Sequence, residues 1–208
     1  MPTFQHNGLT FTYGPHAVGD TANGRSTAAG AARRIIQRDL KSLRVLDVCC
    51  GIGMVGMLLK QAVWDRIQSL TLSDINVFNL DAVRRNLKAN GMEGEVLLSD
   101  GIRHIPARQQ FDLIVSNPPH FPQDSWQYDV LTPSILGGHD DEWRFHRHFY
   151  ANCRGVLSER GEVWFLENGN ASSVDTFKSM IESGLEYVGS EQEPSDPAYY
   201  WFMARQRT

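Results

Sequence analysis

Residues 44–53 read Arg44-Val45-Leu46-Asp47-Val48-Cys49-Cys50-Gly51-Ile52-Gly53, an apolar run closing on an acid, two cysteines and two spaced glycines. A short run of this kind fits a buried strand, and the glycines after it permit a tight turn and a close backbone approach. Met54 to Val63 then carries helical periodicity, so the stretch predicts strand, glycine turn and helix N-terminus in succession. Free N–H groups at a helix start, next to glycines, are a common place for a nucleotide. The spacing is not that of a dinucleotide fingerprint, and the Lys-Ser/Thr of a phosphate loop is missing. Asp47 would repel phosphate but suits an ammonium group, which points to a cationic ligand bearing an amino acid.

Outward from this stretch, strand and helix alternate. Strands are predicted at 44–50, 69–73, 95–98, 111–116, 162–166, 185–190 and 199–205, and helices at 54–63, 77–90, 141–157 and 172–183. Such alternation predicts an α/β fold: a seven-stranded, mostly parallel sheet with helices on both faces. The link 191–198 is too short for a helical crossover, so the last strand should run antiparallel. Upstream, Asn7-Gly8 between short alternating runs predicts an N-terminal hairpin. Residues 14–26 read as loop, and a helix is expected over 27–40 with Ser26 or Thr27 as its cap. The expected organisation is a hairpin and loop over 1–26 and one ligand-binding domain over 27–208.

In an open parallel sheet the ligand sits beyond the carboxyl ends of the strands. The second strand ends in Ser73-Asp74-Ile75, where an acid can accept both hydroxyls of a ribose. The third ends in Ser99-Asp100-Gly101, where a carboxylate can accept an exocyclic amine of adenine. Each acid alone reads equally as a helix cap or a solvated turn; three on successive strand ends are harder to set aside. The fourth strand runs into Asn117-Pro118-Pro119-His120-Phe121. Two prolines stiffen this turn and Pro118 forces Asn117 into an extended conformation, presenting a polar amide at the cleft.

Composition bounds the possibilities. The 208 residues are 41% hydrophobic and 21% charged, enough for one core. No apolar run approaches the ~20 residues of a membrane span, and Met1 to Tyr13 lacks a signal-peptide layout, so a cytoplasmic location is expected. The net charge of −4 weighs against indiscriminate polyanion binding, although Arg33, Arg34, Arg38 and Lys41 gather on the first helix, as a local basic face or merely a solvated one. Cys49, Cys50 and Cys153 lack metal spacing and read as reduced, mostly buried thiols; Cys49 and Cys50 are expected on a strand, facing opposite ways.

These motifs, in this order, resemble the class I S-adenosylmethionine-dependent methyltransferases, a Rossmann-like family, and within it the enzymes carrying Asn-Pro-Pro-aromatic after the fourth strand. The resemblance covers about residues 25 to 206. It implies S-adenosylmethionine as cofactor. It further implies that Asp47, Cys49, Gly51 and Gly53 surround the methionine part, that Asp74 with Ile75 binds the ribose, and that Asp100 with Gly101 lies near adenine. Asn117, Pro118, Pro119 and His120 would form the catalytic turn, with Asn117 also against the cofactor. The sequence departs from the pattern at His120, which stands where Tyr or Phe is usual; it can stack or act as a base, and Phe121 can take over stacking. An N-terminal substrate-recognition domain, common among relatives, is not expected ahead of the hairpin.

Residues 121–150 are expected to form a lid that selects substrate, through Phe121, Trp126, Tyr128, His139 and Trp143. His139, Asp141, His146 and His148 also suggest a metal, but His146 and His148 fall on different helix faces, and no metal is expected. Trp143, Phe145 and Phe149 at such spacing more often serve as core on an inner helix face. The leading expectation is N-methylation of a small molecule or amino-acid derivative. The alternatives are methylation of RNA, DNA or a protein glutamine, and a non-methylating cyclisation of the cofactor to azetidine-2-carboxylate with release of methylthioadenosine. A homo-oligomer is left open, and no membrane partner is expected.

Overall fold

The computed structural model describes residues 1–17, 22–106, 108–121 and 140–207. A hairpin, β1 (Thr3–His6) and β2 (Leu9–Thr12), opens the chain. Asn7 and Gly8 both take positive φ, 48° and 81°, as the two-residue turn requires. The hairpin is pinned by side chains at a later helix, 74 and 80 positions on. Asn90 Oδ1 accepts from the Thr10 amide and Asn86 Oδ1 from the Thr12 amide, each at 2.8 Å. Leu9 and Phe11 are buried in the main core.

The sheet has seven strands in the order β5-β4-β3-β6-β7-β9-β8. Its parallel members are β3 (Leu43–Val48), β4 (Ile67–Asp74), β5 (Glu95–Leu98), β6 (Phe111–Ser116) and β7 (Leu157–Asn168). β9 (Tyr199–Arg205) is antiparallel to both its neighbours, β7 and β8 (Glu186–Gln192). This is the predicted α/β architecture, a mostly parallel sheet with an antiparallel last strand.

Among the described residues five α-helices cover the sheet: α1 (Ala22–Gln37), α2 (Met54–Ala62), α3 (Val77–Ala89), α4 (Arg144–Asn152) and α5 (Val174–Ile181). Strand alternation divides the core in two. Val45, Leu113, Trp164, Leu166 and Trp201 pack with α1, α2 and α3; Leu46, Ile114, Phe165 and Phe202 pack with α4 and α5.

Several expected boundaries move. α1 begins at Ala22, so part of the expected loop is helix, and Thr27 does not cap it: its hydroxyl donates to the Asn23 carbonyl one turn back. The predicted helix over 141–157 is broken into 3-10 turns on either side of α4, with Glu142 and Trp143 at positive φ. β7 is longer than expected at both ends. β3 stops at Val48, so Cys49 and Cys50 are not strand residues; Cys49 lies in the turn at φ 56°.

Candidate active site

Because β3 to β7 run parallel, their carboxyl ends share one edge, and the residues singled out in the sequence converge there. The turn after β3 uses positive φ at Cys49, Gly51 (54°) and Gly53 (84°). It is tied on three sides. The Cys50 amide donates to the Ser73 carbonyl of β4, Asn86 of α3 donates to the Ile52 carbonyl, and the Ser116 hydroxyl of β6 donates to the Val48 carbonyl. Conformations that suit glycine are therefore locked from β4, α3 and β6.

Asp47 is fully buried. Its Oδ2 accepts from the Gly56 amide at 2.8 Å, while Oδ1 is buried without a protein partner. Burial pushes its carboxyl up to about 8, against the Gly56 hydrogen bond, and the nearby Asp74 charge pushes the same way. A carboxylate so placed gains from a neighbouring cation. Asp74 divides its oxygens between the Gly51 and Asn76 amides, both at 2.8 Å, and burial raises its pKa. It thus links the glycine turn to the start of α3, where Asn76 caps through Phe78. Ile75, next to it, is exposed. Asp100 is half-buried and paired with Arg103 at 3.1 Å, and Gly101 takes φ 56° beside the Phe145 ring. All three thiols are free; burial raises each, and among the described residues no cluster of three or more His, Cys, Asp or Glu is arranged to hold a metal.

At the end of β6 lies Asn117, with Pro118 buried behind it. Its Oδ1 is 2.9 Å from His120 Nε2. His120 Nδ1 is 3.1 Å from Oε2 of Glu167, a fully buried residue near the end of β7. Glu167 Oε1 is 2.9 Å from His146 Nε2 on α4, and His146 Nδ1 is 2.6 Å from Asp140 Oδ2. Asp140 also accepts from the Phe145 and His146 amides. Burial opposes a charge on His146, but Glu167 and Asp140 outweigh it and hold its pKa up at about 9. Conversely, burial would raise Glu167, but the His146 charge and the two histidine hydrogen bonds hold it below the usual carboxylate range. The His120 ring meets Phe121 and Tyr199 edge-on.

Glu167 was not anticipated. A signal was present: on β7 it continues the Val163-Phe165 face, so alternation places a carboxylate in an apolar layer, where it needs a partner. His146, expected in a lid, is that partner. Trp143 is half-buried against the His146 and Phe177 rings. Trp126, Tyr128 and His139, and the lid reading of 122–139, lie outside the described residues. The basic cluster expected on α1 is paired but only partly buried: Arg34 turns inward, meeting Glu191 and stacking on Trp201, whereas Arg33 near Glu193, Arg38 with Glu162 and Lys41 with Asp39 stay exposed, the last two beyond the helix.

A mostly parallel sheet that carries its glycine turn and acidic strand ends on one edge is the Rossmann-like architecture of methyltransferases. The chain belongs to the methyltransferase small domain family, whose model matches residues 31–187. Among curated relatives, the ribosomal RNA small subunit methyltransferase C of Actinobacillus pleuropneumoniae serotype 7 (strain AP76) is 47% identical over 125 residues, 60% of this chain and 32% of the relative. That of Haemophilus influenzae (strain PittEE) is 35% identical over 115 residues, 55% of this chain and 32% of the relative. The chain thus spans about a third of the length of these relatives. A T. thermophilus 16S rRNA N2 methyltransferase, solved with AdoMet and guanosine, superposes with TM-score 0.71 at 15% identity, over 99% of this chain and 50% of that one. A ribosomal protein L11 methylase from Lactobacillus delbrueckii subsp. bulgaricus gives 0.65 at 16% identity, over 94% and 84%. At such identities the two structures share the fold. No helix among the described residues is long and apolar enough to cross a membrane.

Proposed function

We propose that this chain is a cytoplasmic S-adenosylmethionine-dependent methyltransferase acting on a nitrogen of a ribosomal RNA base. The observation that carries the reading is the juxtaposition of Asn117 with Asp47 and Asp74 at the ends of neighbouring strands of one sheet edge. The relatives matching at 35–47% identity are named as rRNA methyltransferases, which turns the reading away from the small-molecule acceptor expected from the sequence. The Asn-Pro-Pro-His turn fits the nitrogen-methylating branch of the family.

The residues suit the cofactor. Asp47 Oδ1 lacks a protein partner, as a carboxylate beside an ammonium or sulfonium would. Asp74, held by the Gly51, Ile75 and Asn76 amides and by the Asn79 side chain, would accept ribose hydroxyls alongside these donors. Asp100 and Gly101 border the adenine region, Ile75 offers an exposed apolar face to it, and Cys49, Gly51 and Gly53 shape the turn around the methionine part. Bound S-adenosylmethionine supplies a methyl group already activated by its sulfonium. The chain's own task is then alignment and exclusion of water. Asn117 holds the acceptor amine so that its lone pair points along the transfer line. Pro118 and Pro119 fix the backbone that carries that amide, and Phe121 offers a ring beside the base, whereas His120, expected to stack there, is buried between Asn117 and Glu167.

Calorimetry with S-adenosylmethionine tests the cofactor, and transfer of labelled methyl to 16S rRNA, with tRNA and free nucleosides as competitors, tests the acceptor. Asn117→Ala is expected to lose about 100-fold or more in kcat with cofactor affinity within about threefold. Label in free nucleosides alone would return the acceptor to small molecules. Methylthioadenosine formed without any acceptor would instead mark the cyclisation reaction.

A further inference from the structure

Glu167, His146 and Asp140 touch neither the glycine turn nor the acceptor position, yet they end in a chain of hydrogen bonds on Asn117. Resting on the reading above, we propose that Glu167, braced by His146 and Asp140, is a positioning residue that keeps a proton on His120 Nδ1 and so decides which end of the Asn117 amide faces the cleft.

The inference follows from donors and acceptors. A carboxylate oxygen can only accept, so Glu167 Oε2 opposite His120 Nδ1 requires a proton on that nitrogen. His146 lies between Glu167 and Asp140, which requires protons on both its nitrogens; it keeps Glu167 ionised in turn. His120 Nε2 remains the one ring atom of the chain whose partner can exchange roles, because an Asn amide offers an acceptor on one side and a donor on the other. When Nε2 carries a proton, it donates to Asn117 Oδ1, the arrangement seen here at 2.9 Å. When it does not, Nε2 accepts, the amide turns over, and Nδ2 becomes the donor. Oδ1 then turns to the cleft and can accept from the amine to be methylated. The remaining neighbours of His120 leave this relay intact. Phe121 and Tyr199 present ring edges, and the Tyr199 hydroxyl is engaged by Asn23 and Asn168. From β7 and α4, Glu167 and His146 supply the charges that face it.

Histidine ring nitrogens can be read by NMR on 15N-labelled protein, without any acceptor. The expected result is a proton on His120 Nδ1, with the Asn117 side-chain amide signals responding to whether Nε2 donates or accepts. A bare Nδ1, or Asn117 signals indifferent to His120, would overturn the proposal. In Glu167→Gln, His120 should become a mixture of tautomers, and kcat on 16S rRNA should fall about 100-fold with KM and cofactor affinity nearly unchanged. An unaltered kcat and pH profile in the folded variant would also overturn it. His120→Asn keeps an amide donor toward Glu167 but removes Nε2; it should release the Asn117 amide while leaving near-UV circular dichroism native-like. Failure of S-adenosylmethionine to bind would remove the functional reading alone, since the tautomer measurement needs no cofactor; binding and transfer with the wrong tautomer would remove only this inference.

Discussion

Asp74 shows how one side chain can be structural and functional at once. Its two oxygens order the glycine turn and the start of α3, and the same carboxylate is the one assigned to the ribose. Asp74→Asn keeps one acceptor oxygen but loses the charge and the acceptor that faces one of its amide donors. It is expected to weaken S-adenosylmethionine by about tenfold or more, since a hydrogen bond to a charged group is worth about 1.5–3 kcal/mol; unchanged calorimetric affinity would refute the assignment. At this scale the sequence was legible where a residue's role follows from its position at a strand end: Asp47, Asp74, Gly51, Gly53 and Asn117 all lie on the expected edge. It was not legible where the role depends on a partner far along the chain. Nothing local to His120 points to Glu167, 47 positions away.

Elements obey the same division. Hairpin, strands and the α3 stop at Asn90-Gly91 were readable because turn chemistry and alternation are local signals. The start of α1 was not, because Ala22 to Ser26 is rich in polar and flexible residues, and tertiary contact decides there. Gly30 illustrates that contact. A Cβ at this position would lie 2.4 Å from the Trp201 indole, so the helix carries a glycine to let β9 approach. Gly30→Ala should raise helix propensity yet destabilise the protein, by about 1–3 kcal/mol from overpacking; urea unfolding measures the sign. On the same helix Arg34 turns inward while Arg33 stays exposed. Arg34 is buried over Trp201 and paired with Glu191, so it serves the α1–β9 contact instead of an external polyanion.

For the whole molecule, buried charge shapes stability against pH. The His146 pKa is raised from 6.5 to about 9, so its contribution is complete below about 6.5 and disappears as pH rises through 9. Asp47, raised from 3.8 to about 8, takes up a proton on folding, and stability falls in the same direction between those values. Asp112, held by Arg44 and Ser158 and lowered to about 2, acts oppositely: its contribution is present above 3.8 and lost as pH falls through 2. Chemical denaturation across pH should show alkaline loss that His146→Leu and Asp47→Asn each reduce. An unchanged slope in Asp47→Asn would mean that Asp47 is ionised in the folded state throughout. The sheet order carries a further consequence for synthesis on the ribosome. β8 precedes β9 in the chain but joins the sheet solely through it. A nascent polypeptide that has emerged through β8 therefore leaves that strand undocked and the β7 margin open, and Trp201 joins Trp164 in the core only once β9 slides between β7 and β8.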